Sequence, residues 1–413
     1  MTSIRIKKMA VGLAFCLALC AVSCEKPANT FVIPPPDTKP ETSTDTPQSP
    51  ETPETPPGGG GTTSGTLCTD IGRTPVVLAY YTEYSTELPD VTLLTHINYA
   101  HGRFKNPKTG DGGIEIADTA KLKKIVALKS KNPDLKVLLM IGGWGGHADG
   151  FSMMARNPDK RTAFCEAVKA HIDHFKLDGV DIDWEYPTQS ADGETGCDPS
   201  DTQNFNLVLE ELRAAIGTSK IISFASSSSA KYVDWATAMK YIDYVNVMTY
   251  DMGAAPNGHN SPLYRSARFA QRSCDESVEE HLKKGVPLGR QVLGVPFYGK
   301  SEKNPSADRK YFEYSVKYYE IVEILEKGTY KGSPLKTPVT RMFDDKAKVP
   351  FLADPLGRNI LSYDDPESVA LKGNYVKERP MLGAMFWEYR YDDSEHSLLK
   401  ALVKALYGKE TVL

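Results

Sequence analysis

The chain has 413 residues, 49 of them basic and 53 acidic, for a formal net charge of −4. That balance gives no general reason to expect nucleic acid or an anionic partner. Beyond the first 66 residues the chain is long enough for one large α/β barrel or two ordinary domains, and no second linker divides it.

Residues 1–24 carry Arg5, Lys7 and Lys8 ahead of an apolar run that starts at Met9. The run is shorter than the roughly 20 residues of a membrane span, so it reads as a secretion signal. It closes on Ala21-Val22-Ser23-Cys24, small residues before a cysteine, which resembles the lipobox of bacterial lipoproteins. The resemblance implies an acylated Cys24 and a lipid-anchored protein of the cell envelope, at the outer membrane or cell surface. The alternative is ordinary cleavage with Cys24 discarded. Residues 25–66 are mostly Pro, Thr, Ser, Gly and Glu, a composition that buries almost nothing and predicts a disordered stalk. Cys68, Cys165, Cys197 and Cys274 match no zinc spacing, and one or two disulfides fit an oxidising compartment.

From residue 67 to 413, β-rich runs at 76–81, 96–100, 136–141, 180–185, 221–225, 244–250, 292–298 and 382–388 alternate with helix-period stretches at 119–131, 160–176 and 202–216. Eight strands with helices between them predict a (β/α)8 barrel. The roughly 83 residues between Tyr298 and Leu382 exceed what one loop and helix need. They predict a small α+β insertion at about 300–362, with a helix over 311–327 and short strands over 339–343, 349–352 and 360–363.

Barrel active sites form where strands end, and most of these strands end in polar or aromatic residues. Tyr80, Tyr99, Gly143, Trp144, Tyr186, Met248, Asp251, Tyr298 and Trp387 are therefore the candidate binding wall. Rings with interspersed acids suit a sugar, which stacks a C–H face on aromatics and needs acceptors for its hydroxyls. The chemistry centres on Asp181, Asp183 and Glu185, which stand at period two opposite Val180, Ile182 and Trp184. Three carboxylates on one buried face repel one another and lose hydration, a cost that folding alone does not explain. Asp178, at the other end of that strand, reads as structural. His171 and His174 read as a solvated helix face rather than a metal site, and Lys121, Lys123 and Lys124 as exposed.

The run from Asp178 to Glu185 matches the DxxDxDxE signature of family 18 glycoside hydrolases, and the chain is identified as similar to that family from Val76 to about Ala405. Residues 95–100, 248–251, 294–299 and 385–388 resemble its second, sixth, seventh and eighth strands, and the insertion resembles the small domain of its deep-cleft chitinases. The resemblance implies no cofactor and no metal. It makes Glu185 the acid, Asp183 the residue that orients a substrate acetamido group, Asp181 its proton-sharing partner and Tyr250 a donor to the acetamido oxygen. The nucleophile then belongs to the substrate, and configuration is retained. The implied function is that of an endo-acting chitinase, a monomer acting on chitin or other N-acetylglucosamine oligosaccharides. An endo-β-N-acetylglucosaminidase of N-glycans and a non-catalytic glycan-binding barrel are the alternatives. Three residues depart from the family pattern: Met140 for Ser or Ala, His101 for Phe, and Lys300 for Arg.

Overall fold

The computed structural model describes residues 67–189, 196–307 and 310–413. The signal-like stretch, Cys24 and the 25–66 tract lie outside them. Eight parallel strands close a barrel: Val76–Thr82, His96–Phe104, Lys136–Gly142, Gly179–Asp183, Ile221–Ser226, Tyr244–Val247, Gln291–Pro296 and Gly383–Trp387. The first strand pairs with both the second and the eighth, which closes the ring. A short strand, Ile114–Ile116, runs antiparallel to the second strand and is not evident in the sequence.

Every position of the fourth strand is buried, as alternation between two packed faces requires. Val180, Ile182 and Trp184 face the helical layer, where Trp184 stacks on Phe151 at 5.3 Å. Val76, Leu78, Tyr80, Leu138, Met140 and Met385 fill the barrel interior. Local chemistry sets the helix ends. Asn157 accepts from the amides of Asp159 and Lys160 to start Pro158–Phe175, and Ser273 and Glu276 form a capping box on Cys274–Lys283. Asp392 accepts from Leu398 and Leu399 amides at 3.2 and 3.0 Å, and Ser397–Tyr407 then buries Leu398, Leu399, Leu402, Val403 and Leu406.

The seventh barrel strand stops at Pro296. Tyr298–Ser301 joins instead a five-stranded antiparallel sheet with Ser315–Lys317, Asn359–Ser362, Val349–Ala353 and Thr340–Asp344. The helix expected over 311–327 begins only at Tyr318, because 315–317 are used as an edge strand and the Glu320 side chain accepts from the Lys317 amide. The sixth strand likewise ends at Val247, earlier than its apolar run suggests. Beyond it, Thr249 Oγ1 donates to the Gly294 carbonyl at 2.6 Å. Cys68, Cys165, Cys197 and Cys274 are all free thiols, so none of the described cysteines forms a disulfide.

Candidate active site

Asp181 lies fully buried below the mouth of the barrel. Its oxygens accept from Tyr80 Oη at 2.9 Å, Ser223 Oγ at 2.5 Å and Asn246 Nδ2 at 3.0 Å. Burial pushes its carboxyl up to about 6, against the pull of those hydrogen bonds. Asp183, two residues on, is 4% exposed and its Oδ1 has no hydrogen-bond partner. Burial, then the charges of Glu185 and Asp181, hold its carboxyl well above the usual range. Glu185 stands just past the strand end, 8% exposed. Burial pushes it up to about 7; the Tyr186 hydroxyl opposes this and the charge of Asp251 adds to it. A carboxyl still protonated near neutrality is what general-acid catalysis requires.

The loop after the third strand makes room for this cluster. A side chain at Gly142 would come within 2.1 Å of the Asp183 carbonyl, and the Gly143 amide donates to that same oxygen at 2.8 Å. Asp178 anchors the far end of the acidic strand, accepting from the Val137 amide at 2.6 Å and pairing with Lys129 at 2.6 Å.

Above the acids opens a cavity of about 450 Å³. Of the candidate residues, Tyr80, Trp144, Asp183, Glu185, Tyr186, Met248, Tyr250, Asp251, Tyr298 and Trp387 line it, with Asp181 just beneath. Two expected wall residues do not. Tyr99 points to the outer layer, stacks on Tyr81 at 6.3 Å and donates to the Asp118 carbonyl at 2.8 Å. Gly143 sits between Met140 and His101 and acts through its backbone. Trp387 lies 5.6 Å from Tyr80. Asp251 accepts from Tyr298 Oη at 2.8 Å and pairs with Lys300 at 3.1 Å, so Lys300 meets it as a point charge.

Several lining residues escaped the sequence reading: Thr82, Tyr84, His147, Ser227, Ser228, Ser315, Arg390 and Tyr391. Ser223 and Asn246 escaped as well, although small polar residues at inward strand positions are a signal that could have found them. His101 lines the cavity, stacks on His147 at 4.3 Å and reaches Glu83 at 3.0 Å through Nδ1. Arg103 Nε donates to His147 Nδ1 at 2.8 Å. This leaves Nε2 of His147 as the ring's N–H. Lys121 is half-buried, contrary to expectation, because its ammonium donates to the Ser85 carbonyl at 2.8 Å. Among the described residues no three His, Cys, Asp or Glu side chains are grouped to hold a metal ion, and His171 Nε2 lies 3.0 Å from the Ile114 carbonyl.

Comparison with known proteins agrees with this geometry. Chitinase A1 of Niallia circulans is 30% identical over 393 residues, an alignment that covers 78% of this chain and 56% of that protein's length. Chitotriosidase-1 of Mus musculus is 28% identical, covering 78% of this chain and 73% of the relative. Among solved structures, a family 18 N-acetylglucosaminidase from Paenibacillus barengoltzii superposes with a TM-score of 0.67 at 32% identity, over 80% of this chain and 99% of that one. The Ostrinia furnacalis Group IV chitinase in complex with allosamidin gives 0.69 at 27% identity, over 81% and 99%. The family model described as glycosyl hydrolases family 18 matches residues 76–392, and the chain belongs to that family.

Proposed function

We propose that this chain is a chitinase that hydrolyses β-1,4 links between N-acetylglucosamine units, endo-acting, retaining and substrate-assisted. The observation that carries the reading is the ladder of acids under the cavity: Asp181 saturated with donors, Asp183 unpartnered at Oδ1, and Glu185 protonated to about pH 7 at the opening. Glu185 gives its proton to the glycosidic oxygen as the bond to C1 breaks. The acetamido oxygen of the same sugar attacks C1, its N–H held by Asp183, which shares a proton with Asp181. Water, deprotonated by the Glu185 carboxylate, then opens the cyclic intermediate and restores the acid. Tyr250 donates to the acetamido oxygen, and Trp387 floors the sugar. The related chitinases support the substrate class, and the presence of both Glu185 and Asp183 argues against a barrel that only binds.

The test compares chitohexaose, cellohexaose and a high-mannose glycoprotein. Hydrolysis of the first alone, with strong inhibition by a thiazoline mimic of the intermediate, is expected. Equal cleavage of cellohexaose, which has no acetamido group, rules out substrate assistance; preferential release of the N-glycan moves the assignment to the endoglycosidases. The run Ala21 to Cys24 and the Pro/Thr-rich 25–66 tract support placing the enzyme on a bacterial envelope through lipid on Cys24.

A further inference from the structure

Three residues beyond Trp387, Arg390 stands on the cavity rim with its guanidinium carbon 5.5 Å from the centre of the Tyr84 ring and 5.2 Å from that of Tyr391. Its Nε donates to Glu388, whose side chain is 1% exposed. Tyr84 Oη accepts from Arg103 at 3.3 Å, and the Lys317 ammonium lies 5.7 Å from the Tyr391 centroid. A row of alternating rings and cations therefore joins four segments: the loop after the first strand, the second strand at Arg103, the loop after the eighth, and the edge strand Ser315–Lys317. The first and eighth strands are neighbours in the ring, and the fourth, which leads to Glu185, lies across the barrel from them.

Arg390 also lines a second cavity of about 460 Å³, together with Ser85, Glu87, Tyr319, Glu323 and Asp393. Among the described residues it alone borders both. A ligand longer than the catalytic cavity holds on this side would run past Arg390 toward the second cavity. The Arg390 guanidinium lies near both rings and donates to Glu388, a buried carboxylate that would lose its cation if Arg390 swung away.

We propose that Arg390, beside the rings of Tyr84 and Tyr391, is a specificity-determining barrier that limits how many sugar residues lie between the cleaved bond and that rim. The inference rests on the chitinase reading of the cavity. Binding modes with a short segment on the Arg390 side keep the row intact. Modes with a longer segment must open it or climb over it. Among the binding modes open to an endo-acting enzyme, those with a short segment on the Arg390 side are therefore favoured.

The test is the product ratio from chitohexaose marked at its reducing end, read by mass spectrometry at early times for wild type, Arg390→Ala and Tyr84→Ala. Wild type is expected to give several fragments, with those from modes that place a short segment on the Arg390 side in excess. Both variants should raise the ratio of the next longer fragment by at least about threefold, since a cation–π contact has been removed. Tyr84 is 53% exposed and leaves the Glu388 pair in place, so its variant answers the question even if Arg390→Ala fails to fold. An unchanged ratio in active Tyr84→Ala protein overturns the barrier while leaving the chitinase reading intact. Wild type that cleaves no N-acetylglucosamine oligomer overturns both.

Discussion

Tyr80 donates its hydroxyl proton to Asp181 at 2.9 Å, across the barrel from the first strand to the fourth. That bond, with those from Ser223 and Asn246, fixes one carboxyl of the triad and leaves none of these donors for Asp183. Asp183 is consequently the destabilised member: buried, flanked by two acids and unpartnered at Oδ1.

A stability prediction follows from the sign of that shift. A carboxyl whose folded value is raised binds its proton more tightly folded than unfolded, so stability falls as pH rises from the ordinary carboxylate range toward the folded value. For Asp181 the window runs up to about 6, and for Asp183 the direction is the same. Asp183→Asn should therefore be more stable than wild type at neutral pH, by an amount on the order of 1 kcal/mol, with a smaller difference in acid. Turnover should be largely lost. Calorimetry across pH checks this, and a variant less stable than wild type at neutral pH refutes the strain assigned to Asp183.

With Glu185 as the acid, the alkaline limb of activity should follow its protonation. Because the acid must be protonated, kcat/KM should fall as pH passes about 7. Glu185→Gln should retain oligosaccharide binding while losing about 10²–10⁴-fold in kcat, the usual contribution of a positioned acid. Asp251 raises Glu185 by its negative charge, so Asp251→Asn should move the alkaline limb to lower pH in addition to any change in KM. An unmoved limb in that variant would show that another group titrates there.

How far the sequence reveals this site depends on whether a residue's facing can be read. Asp181, Asp183 and Glu185 declare theirs, because charge at period two allows one register with an apolar opposite face. Tyr99 does not. The sequence 96–100 does alternate, His96 and Asn98 against Ile97 and Tyr99, but a tyrosine at a strand end suits a cavity wall as well as the outer layer. Pairing decides it: Asn98 aligns with Tyr80, which faces the barrel interior, and Tyr99 with Tyr81, which faces the outer layer. Arg390 and Tyr391 were unreadable for another reason. They follow the last strand in a segment without periodicity, and only the proximity of Tyr84, three hundred residues earlier in the chain, gives them a role.

Lys372 and Asp364 form an ion pair in which both side chains are fully buried, with Nζ 2.7 Å from each carboxylate oxygen and from Ser261 Oγ. The pair ties Pro366–Glu378 to the segment that follows Asn359–Ser362. Lys372→Met should cost about 3–5 kcal/mol, since Asp364 is left charged and unpaired in the interior. Adding Asp364→Asn should recover part of the loss, because the stranded charge is the larger part of the penalty. Denaturant unfolding of the two variants measures it; a neutral Lys372→Met would mean that water or rearrangement already solvates Asp364.

The location proposal is tested at Cys24, which lies outside the described residues. A thioether-linked diacylglycerol with an N-acyl chain supplies more than one hydrophobic anchor, and two such signals are what stable membrane attachment requires. Wild-type protein expressed in a bacterial host should sediment with membranes and enter a detergent phase. Cys24→Ala should appear in the soluble fraction with unchanged activity on soluble oligosaccharides, since the substitution lies 52 residues ahead of the first barrel strand at Val76. Mass spectrometry of the native N-terminus decides between the outcomes. An acylated Cys24 places the enzyme on a membrane, whereas an unmodified terminus beyond Cys24 makes it a secreted protein and removes the anchor.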